Sequence, residues 1–261
     1  MGIFDKSNLI EIDHTNGKKE IIKILTKESY DSFDESILGL GDITVESIPI
    51  NALVGIFDLE GFTNFCSHFD PQLVLPEFLS MFLKWIFKQL RLENIDKTYK
   101  LGYSVYAELP FYCKFMGDGL MFIWKTDHLR QGQICDIVVT AHEICNKYIN
   151  EFIKTISDSI TNPPPKLRCG LARGIIYSVG NGNDFVGPCI NVASRLQKIS
   201  SLTFCFLKQG IDIRQNDYLN KITVVKNYNI RGISSSELIC IIKEEFELLS
   251  KEEKKLFVAT N

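Results

Sequence analysis

The chain has 261 residues, 45% apolar and 23% charged, with a formal net charge of −3. That size and balance suit one catalytic domain with peripheral additions, and they exclude a disordered chain, a nucleic-acid-binding tail or a polybasic membrane patch. No stretch approaches the ~18 to 20 apolar residues of a membrane span. Met1-Gly2-Ile3-Phe4-Asp5-Lys6-Ser7 lacks a signal peptide's apolar centre, and Lys6 stands where a myristoylation signal needs a hydroxyl. A cytoplasmic location is expected, with neither nucleic acid nor membrane as partner.

Residues 1–50 are polar with scattered apolar positions and are expected to form an accessory arm, with Ile21, Ile22, Ile24 and Leu25 as a short amphipathic helix. Ala52-Leu53-Val54-Gly55-Ile56-Phe57 is a continuous apolar run, as a buried central strand requires, and it delivers Asp58 to its end. From Pro71 the period changes. Leu79, Phe82, Leu83, Ile86, Phe87 and Leu90 follow helical spacing, and core packing explains that stripe better than a ligand box.

Residues 94–110 carry no period and are expected to be an insertion. Phe111 to Met116 and Leu120 to Trp124 then flank Gly117-Asp118-Gly119, which predicts a hairpin lifting Asp118 on a tight turn beside the end of the first strand. Ile134, Ile137, Val138, Ala141, Ile144, Cys145, Tyr148 and Phe152 predict a second sheet-covering helix. His142-Glu143 on that helix does not make a metalloprotease motif, because Asn146 occupies the second histidine's position.

Asn162-Pro163-Pro164-Pro165 marks a connector, and Leu167 to Val179 reads as a long strand interrupted by Gly170 and Gly174. Gly180-Asn181-Gly182-Asn183 is a turn and not a dinucleotide fingerprint, since Phe185 stands where the third glycine would be; no P-loop exists in the chain. After Pro188 a helix places Asn191 and Arg195 on one face, within reach of a common ligand. A βαβ-like stretch runs to residue 243, and residues 243–255 alternate acid and base as a solvated helical end does. The pattern is α+β, with an arm over 1–50, a catalytic core over 51–243 and a charged tail over 244–261.

Eight cysteines are scattered singly with no C-x-x-C pair, so small buried side chains are expected in preference to zinc or redox chemistry. The chemistry rests instead on Asp58 and Asp118. Two carboxylates at neighbouring turns can hold two hard divalent ions, Mn²⁺ or Mg²⁺, with the Leu59 carbonyl completing a shell. Each residue also has a plainer reading: Asp58 as a cap for a helix starting near Phe62, Asp118 as ordinary turn chemistry, Arg195 as a surface helix charge.

Phe57-Asp58-Leu59-Glu60-Gly61-Phe62-Thr63, Lys114-Phe115-Met116-Gly117-Asp118-Gly119 and the stretch from Gly170 to Gln197, including Asn191-Val192-Ala193-Ser194-Arg195, occur in the order and spacing of the class III nucleotidyl cyclases. The resemblance covers residues 50–243. It implies a ferredoxin-like βαββαβ core with helices covering one sheet face, and cyclisation of a nucleoside triphosphate with loss of pyrophosphate. It further implies that Asp58 and Asp118 bind metal, Arg195 stabilises the transferring phosphate, Asn191 orients the ribose and Arg231 meets the terminal phosphates. In this family the two halves of a site come from different subunits, so a homodimer with two composite sites is implied.

The base is the open question. Lys114 and Asp184 match the pair that reads adenine in adenylyl cyclases of the family, which argues for ATP. The motif stretches as a whole most resemble the small stand-alone bacterial pyrimidine cyclases of Pycsar antiphage defence, which make cyclic UMP or cyclic CMP for a separate effector. The expectation is a pyrimidine cyclase, UTP before CTP, with adenylyl cyclase and an inactive nucleotide-binding module as alternatives.

Overall fold

The computed structural model describes residues 8–13, 19–24, 26–67, 70–92, 108–233 and 236–258. They divide into two compact units, one drawn from Met1–Pro49 and Tyr177–Val186, the other from Ile50–Ile176 and Gly187–Asn261. The predicted insertion lies almost wholly outside the described residues, as does Leu25.

The smaller unit opens with β1 (Asn8–Asp13) and β2 (Lys19–Ile24), an antiparallel pair in the register Ile10↔Ile22 and Glu11↔Ile21. The helix expected around Ile21 to Ile24 is therefore a strand. Three β-branched isoleucines in six residues favour extended backbone, and β1 supplies the partner. A one-turn helix α1 (Lys27–Asp31) follows, capped by the Thr26 hydroxyl accepting from the Ser29 amide, then a 3-10 turn at Glu35–Leu38 ended by Gly39 at φ 66°.

In chain order the larger unit holds β3 (Pro49–Glu60), α2 (Phe62–Phe65), α3 (Pro71–Leu92), β4 (Tyr112–Phe115), β5 (Gly119–Lys125) and α4 (Gln131–Lys147), which continues as a π-helical turn and α5 (Ile153–Ile156). β6 (Lys166–Val179) comes next, and its last three residues pair with β7 (Asp184–Val186) in the smaller unit. α6 (Pro188–Leu196), β8 (Phe204–Leu207), α7 (Asp217–Ile222), β9 (Thr223–Asn229), β10 (Ser236–Ile242), α8 (Lys243–Leu248), α9 (Lys251–Lys254) and β11 (Phe257–Val258) complete it.

The main sheet runs β11-β9-β10-β8-β6-β3-β5-β4. Numbering β3, β4, β5 and β6 as first to fourth strands gives the order fourth-first-third-second, with α3 and α4 as the two crossovers: a ferredoxin-like βαββαβ core. Beyond it, β6-α6-β8 is a parallel crossover, and β8 and β9 flank β10, so the predicted βαβ-like stretch is a split one. The tail differs from a purely helical end. After α8 and α9, buried Phe257 carries β11 onto the sheet edge beside β9, with its ring against Tyr228 and Phe246.

Alternation along β3 and β5 separates the sheet's two faces. Leu53, Phe57 and Leu59, with Leu120, Phe122 and Trp124, join the core beneath α3 and α4. Phe78 stacks on Phe82, and Tyr148 and Phe152 meet Phe82 edge-on; of the predicted stripe Phe82, Ile86 and Leu90 are core and Leu79 and Leu83 pack half-buried against it, while Phe87 is exposed with its ring edge-on to Phe122. Each buried ring stabilises the fold by ~1.5 to 3 kcal/mol. Asp58, Lys114 and Arg168 belong to the other alternation.

Candidate active site

Asp58 is buried near the end of β3 and pairs in register with Gly119. The turn before Gly119 presses against β3 so closely that a Cβ at Gly119 would lie 2.0 Å from the Phe57 carbonyl oxygen. Only glycine permits that approach, while Gly117 supplies the positive φ of 94° that turns the chain. The Leu59 amide donates to the Asp118 carbonyl at 3.0 Å, which fixes the Asp118 turn beside the strand that carries Asp58. Asp58 does not cap the helix after it: the N-cap of α2 is Gly61, with no side-chain cap.

Sequence reasoning missed Arg168. Its Nη2 donates to Asp58 Oδ2 at 2.9 Å, its Nε lies 3.8 Å from Glu60 Oε2, and both Arg168 and Asp58 are largely buried. Buried charges of this kind persist only in pairs. The Arg168 Nε has no hydrogen-bond partner. A signal was present in the sequence, since Arg168 is a lone charge between the buried positions Leu167 and Cys169 of a strand.

Lys114 faces the same way as Asp58, because the registers Ile56↔Met121 and Lys114↔Met121 put Ile56, Met121 and Lys114 in one cross-strand row. The Lys114 side chain is exposed. Asp184 stands on β7 in the smaller unit, half-buried, with Oδ1 accepting from the Phe185 amide at 2.9 Å.

Asn191 and Arg195 are exposed on α6, one turn apart, while Cys189, Val192, Ala193 and Leu196 are buried. Close packing of α6 on β6 depends on Gly170, where a Cβ would meet the Ala193 carbonyl and the Gln197 amide at 2.4 Å. These contacts lie on the face opposite Cys169 and Leu171, so α3 and α4 cover one side of the sheet and α6 the other. The Arg231-Gly232 turn comes to Arg195: a Cβ at Gly232, where φ is 77°, would sit 3.2 Å from Arg195 Nη2. Buried Ile230 anchors that turn.

The described residues contain no group of three or more His, Cys, Asp or Glu able to cage a metal. A soft or fully protein-ligated site is therefore not built there. Two carboxylates and a backbone carbonyl fit hard ions that retain waters and share substrate phosphates. Six of the eight cysteines are buried, and burial pushes the thiols of Cys135 and Cys189 up to about 11, which makes them poor ligands and nucleophiles. His142 is buried against Phe204, and half-buried Asn146, the residue that breaks the protease motif, has its Nδ2 3.2 Å from the His142 Nε2.

No family model matches this chain, and no curated protein matches it. Solved structures do. The guanylyl cyclase Cya2 superposes with a TM-score of 0.53 at 14% identity, over 76% of this chain and 94% of that one. The catalytic core of a rhodopsin-guanylyl cyclase with converted specificity, in complex with ATPαS, gives 0.51 at 15% identity, over 76% and 98%. The chain has the α+β fold of the class III cyclases. No helix among the described residues is long and apolar enough to cross a membrane.

Proposed function

We propose that this chain is a nucleotidyl cyclase that converts UTP, or CTP, to its 3′,5′-cyclic monophosphate and pyrophosphate. The observation that supports it most is the Asp118 turn fixed against the Asp58 strand, within a fold shared with nucleotide cyclases. In the reaction the ribose 3′ oxygen bonds to the α-phosphorus, the bond from the α-phosphorus to the bridging oxygen breaks, and the hydroxyl proton leaves to solvent.

Asp58 and Asp118, with the Leu59 carbonyl, are the residues to hold two divalent ions, Mg²⁺ or Mn²⁺. Once bound, such ions would lower the pKa of the 3′ hydroxyl and neutralise the triphosphate. Arg168 keeps the Asp58 carboxylate in place, and its unsatisfied Nε suits a substrate oxyanion. Arg195 stabilises charge on the transferring phosphate, as a planar, permanently ionised donor does best in the transition state. Asn191 orients the ribose from the same helix face, and Arg231 meets the terminal phosphates. The two halves of each site come from two copies of the chain, giving an isologous homodimer with two sites.

Lys114 and Asp184 are the base-pocket candidates. One structural neighbour, the catalytic core of a rhodopsin-guanylyl cyclase with converted specificity, is in complex with ATPαS, so this fold can present more than one base to the same chemistry. Resemblance of the motif stretches favours a pyrimidine here, and a role in antiphage defence through a separate cyclic-nucleotide effector in the cytoplasm follows from the same resemblance. The residue types of Lys114 and Asp184 favour adenine as the competing reading. Incubating the protein with Mn²⁺ and each of UTP, CTP, ATP and GTP, then weighing the products, tests all of this. Cyclic UMP or CMP is expected; cyclic AMP overturns the base assignment, and no product from any nucleotide leaves an inactive binding module. Absence of protection in a phage challenge would remove the defence role.

A further inference from the structure

In the smaller unit, the turn that leads into Asp184 is held from outside by residues 39–48. Ile48 and Ser178 exchange two bonds: the Ser178 amide donates to the Ile48 carbonyl at 3.1 Å, and the Ile48 amide donates to Ser178 Oγ at 2.8 Å. Asn183 Nδ2 donates to the Leu40 carbonyl at 3.1 Å and reaches the Gly39 carbonyl at 3.5 Å. The two segments touch backbone to backbone. A Cβ at Gly180 would lie 1.6 Å from the Leu40 carbonyl oxygen, and one at Gly41 would lie 3.1 Å from Asn183 Nδ2.

The turn needs such support. Gly180, Asn181 and Gly182 all have positive φ, at 54°, 59° and 86°, and the non-glycine among them costs ~1 to 2 kcal/mol. Asp184 follows directly, with its carboxylate bonded to the next amide, so its position is set by how the turn lies. Ser178 is buried with its hydroxyl committed to Ile48, a polar group whose loss would leave the Ile48 amide without that acceptor.

We propose that residues 39–48 are a brace that fixes the Asp184 turn, and that Ser178, Gly180 and Asn183 are positioning residues for nucleotide selection. The selection role rests on the base-pocket reading of Asp184; the brace itself rests on the contacts alone.

The test uses the full chain carrying Ser178→Ala, Ser178→Thr, Asn183→Ala or Gly180→Ala, with kcat and KM for all four nucleotides and hydrogen exchange by mass spectrometry. Ser178→Ala and Asn183→Ala should raise KM for the preferred nucleotide and shrink its preference about fivefold, the worth of one hydrogen bond. They should act less on kcat, and Ser178→Thr, which keeps the hydroxyl, should restore the preference. Exchange should rise together in residues 39–48 and 177–186. Gly180→Ala should do more of the same; if it does not fold, the two side-chain variants decide. Loss of kcat with an unchanged preference overturns the selection role, and unchanged exchange at 177–186 overturns the brace. A wild-type chain that makes no cyclic product removes the cyclase reading instead, and exchange then judges the brace by itself.

Discussion

The two faces of the main sheet are built from the same strands and carry opposite chemistry. Along β3, Leu53, Phe57 and Leu59 enter an aromatic-rich core, while Asp58, one position away, is a buried carboxylate whose charge is met by Arg168. Along β6, Leu167 and Cys169 join the same core, while Arg168 and Gly170 between them serve the ion pair and the seat of α6. One face is specified by volume and tolerates apolar exchange. The other is specified by charge and by absent side chains, and single atoms matter there.

The hardest blow to the charged face is loss of either carboxylate proposed to hold metal. Asp58→Asn and Asp118→Asn should each lower turnover ~10³-fold or more while the fold persists, as steady-state kinetics and circular dichroism would check. Alanine separates the two positions. Asp58→Ala strips the partner from a buried guanidinium and should also cost about 3 kcal/mol in denaturant unfolding, whereas Asp118→Ala, on a turn, should cost far less. Equal stability losses would break the distinction between a buried pair and a turn carboxylate.

Arg195→Ala should lower kcat ~10²-fold with little change in KM, because the phosphate contact proposed for it strengthens in the transition state. A pure KM effect would move Arg195 to ground-state binding. Gly170→Ala should push α6 from the sheet at a cost of ~1 to 3 kcal/mol and reduce kcat through displaced Asn191 and Arg195. Gly132→Ala is the contrasting case. A Cβ there meets nothing closer than the Gln215 carbonyl at 3.9 Å, and Gly132 lies in α4, so a gain of ~0.5 kcal/mol is expected.

The smallest effect belongs to the apolar face. Burial holds His142 below its ordinary value of 6.5, so as pH falls the unfolded chain takes the proton first. Its contribution to stability is complete above about pH 6.5 and is lost as pH drops below that value. Melting temperatures of His142→Gln and wild type, compared between pH 7.5 and 5.5, should show a shallower acid decline in the variant.

The apolar face was legible in the sequence because burial repeats: β3, α3, α4 and the β4-β5 hairpin all follow from periodicity and glycine placement. The carboxylates were legible because each breaks an apolar pattern, Asp58 at the end of the apolar run of β3 and Asp118 in the turn between β4 and β5. Arg168 escaped notice because its partner is 110 residues away and a lone arginine gives no spacing signal. β2 departs from the expected helix because six residues with three isoleucines fit either period, and pairing with β1 decided between them. The brace on the Asp184 turn was invisible, since it is made largely of backbone carbonyls and missing side chains.

Mixing two defective variants tests the proposed composite site most directly. Asp58→Asn and Arg195→Ala proteins, each at about 1% of wild-type activity or less by itself, are combined, allowed to exchange subunits and assayed with the preferred nucleotide. A mixed dimer holds one doubly defective site and one intact site, so activity should return to about a quarter of wild type at equal proportions. A mixture as inactive as its parts, beside an active wild-type dimer that does exchange subunits, would contradict the account by placing each site within one chain.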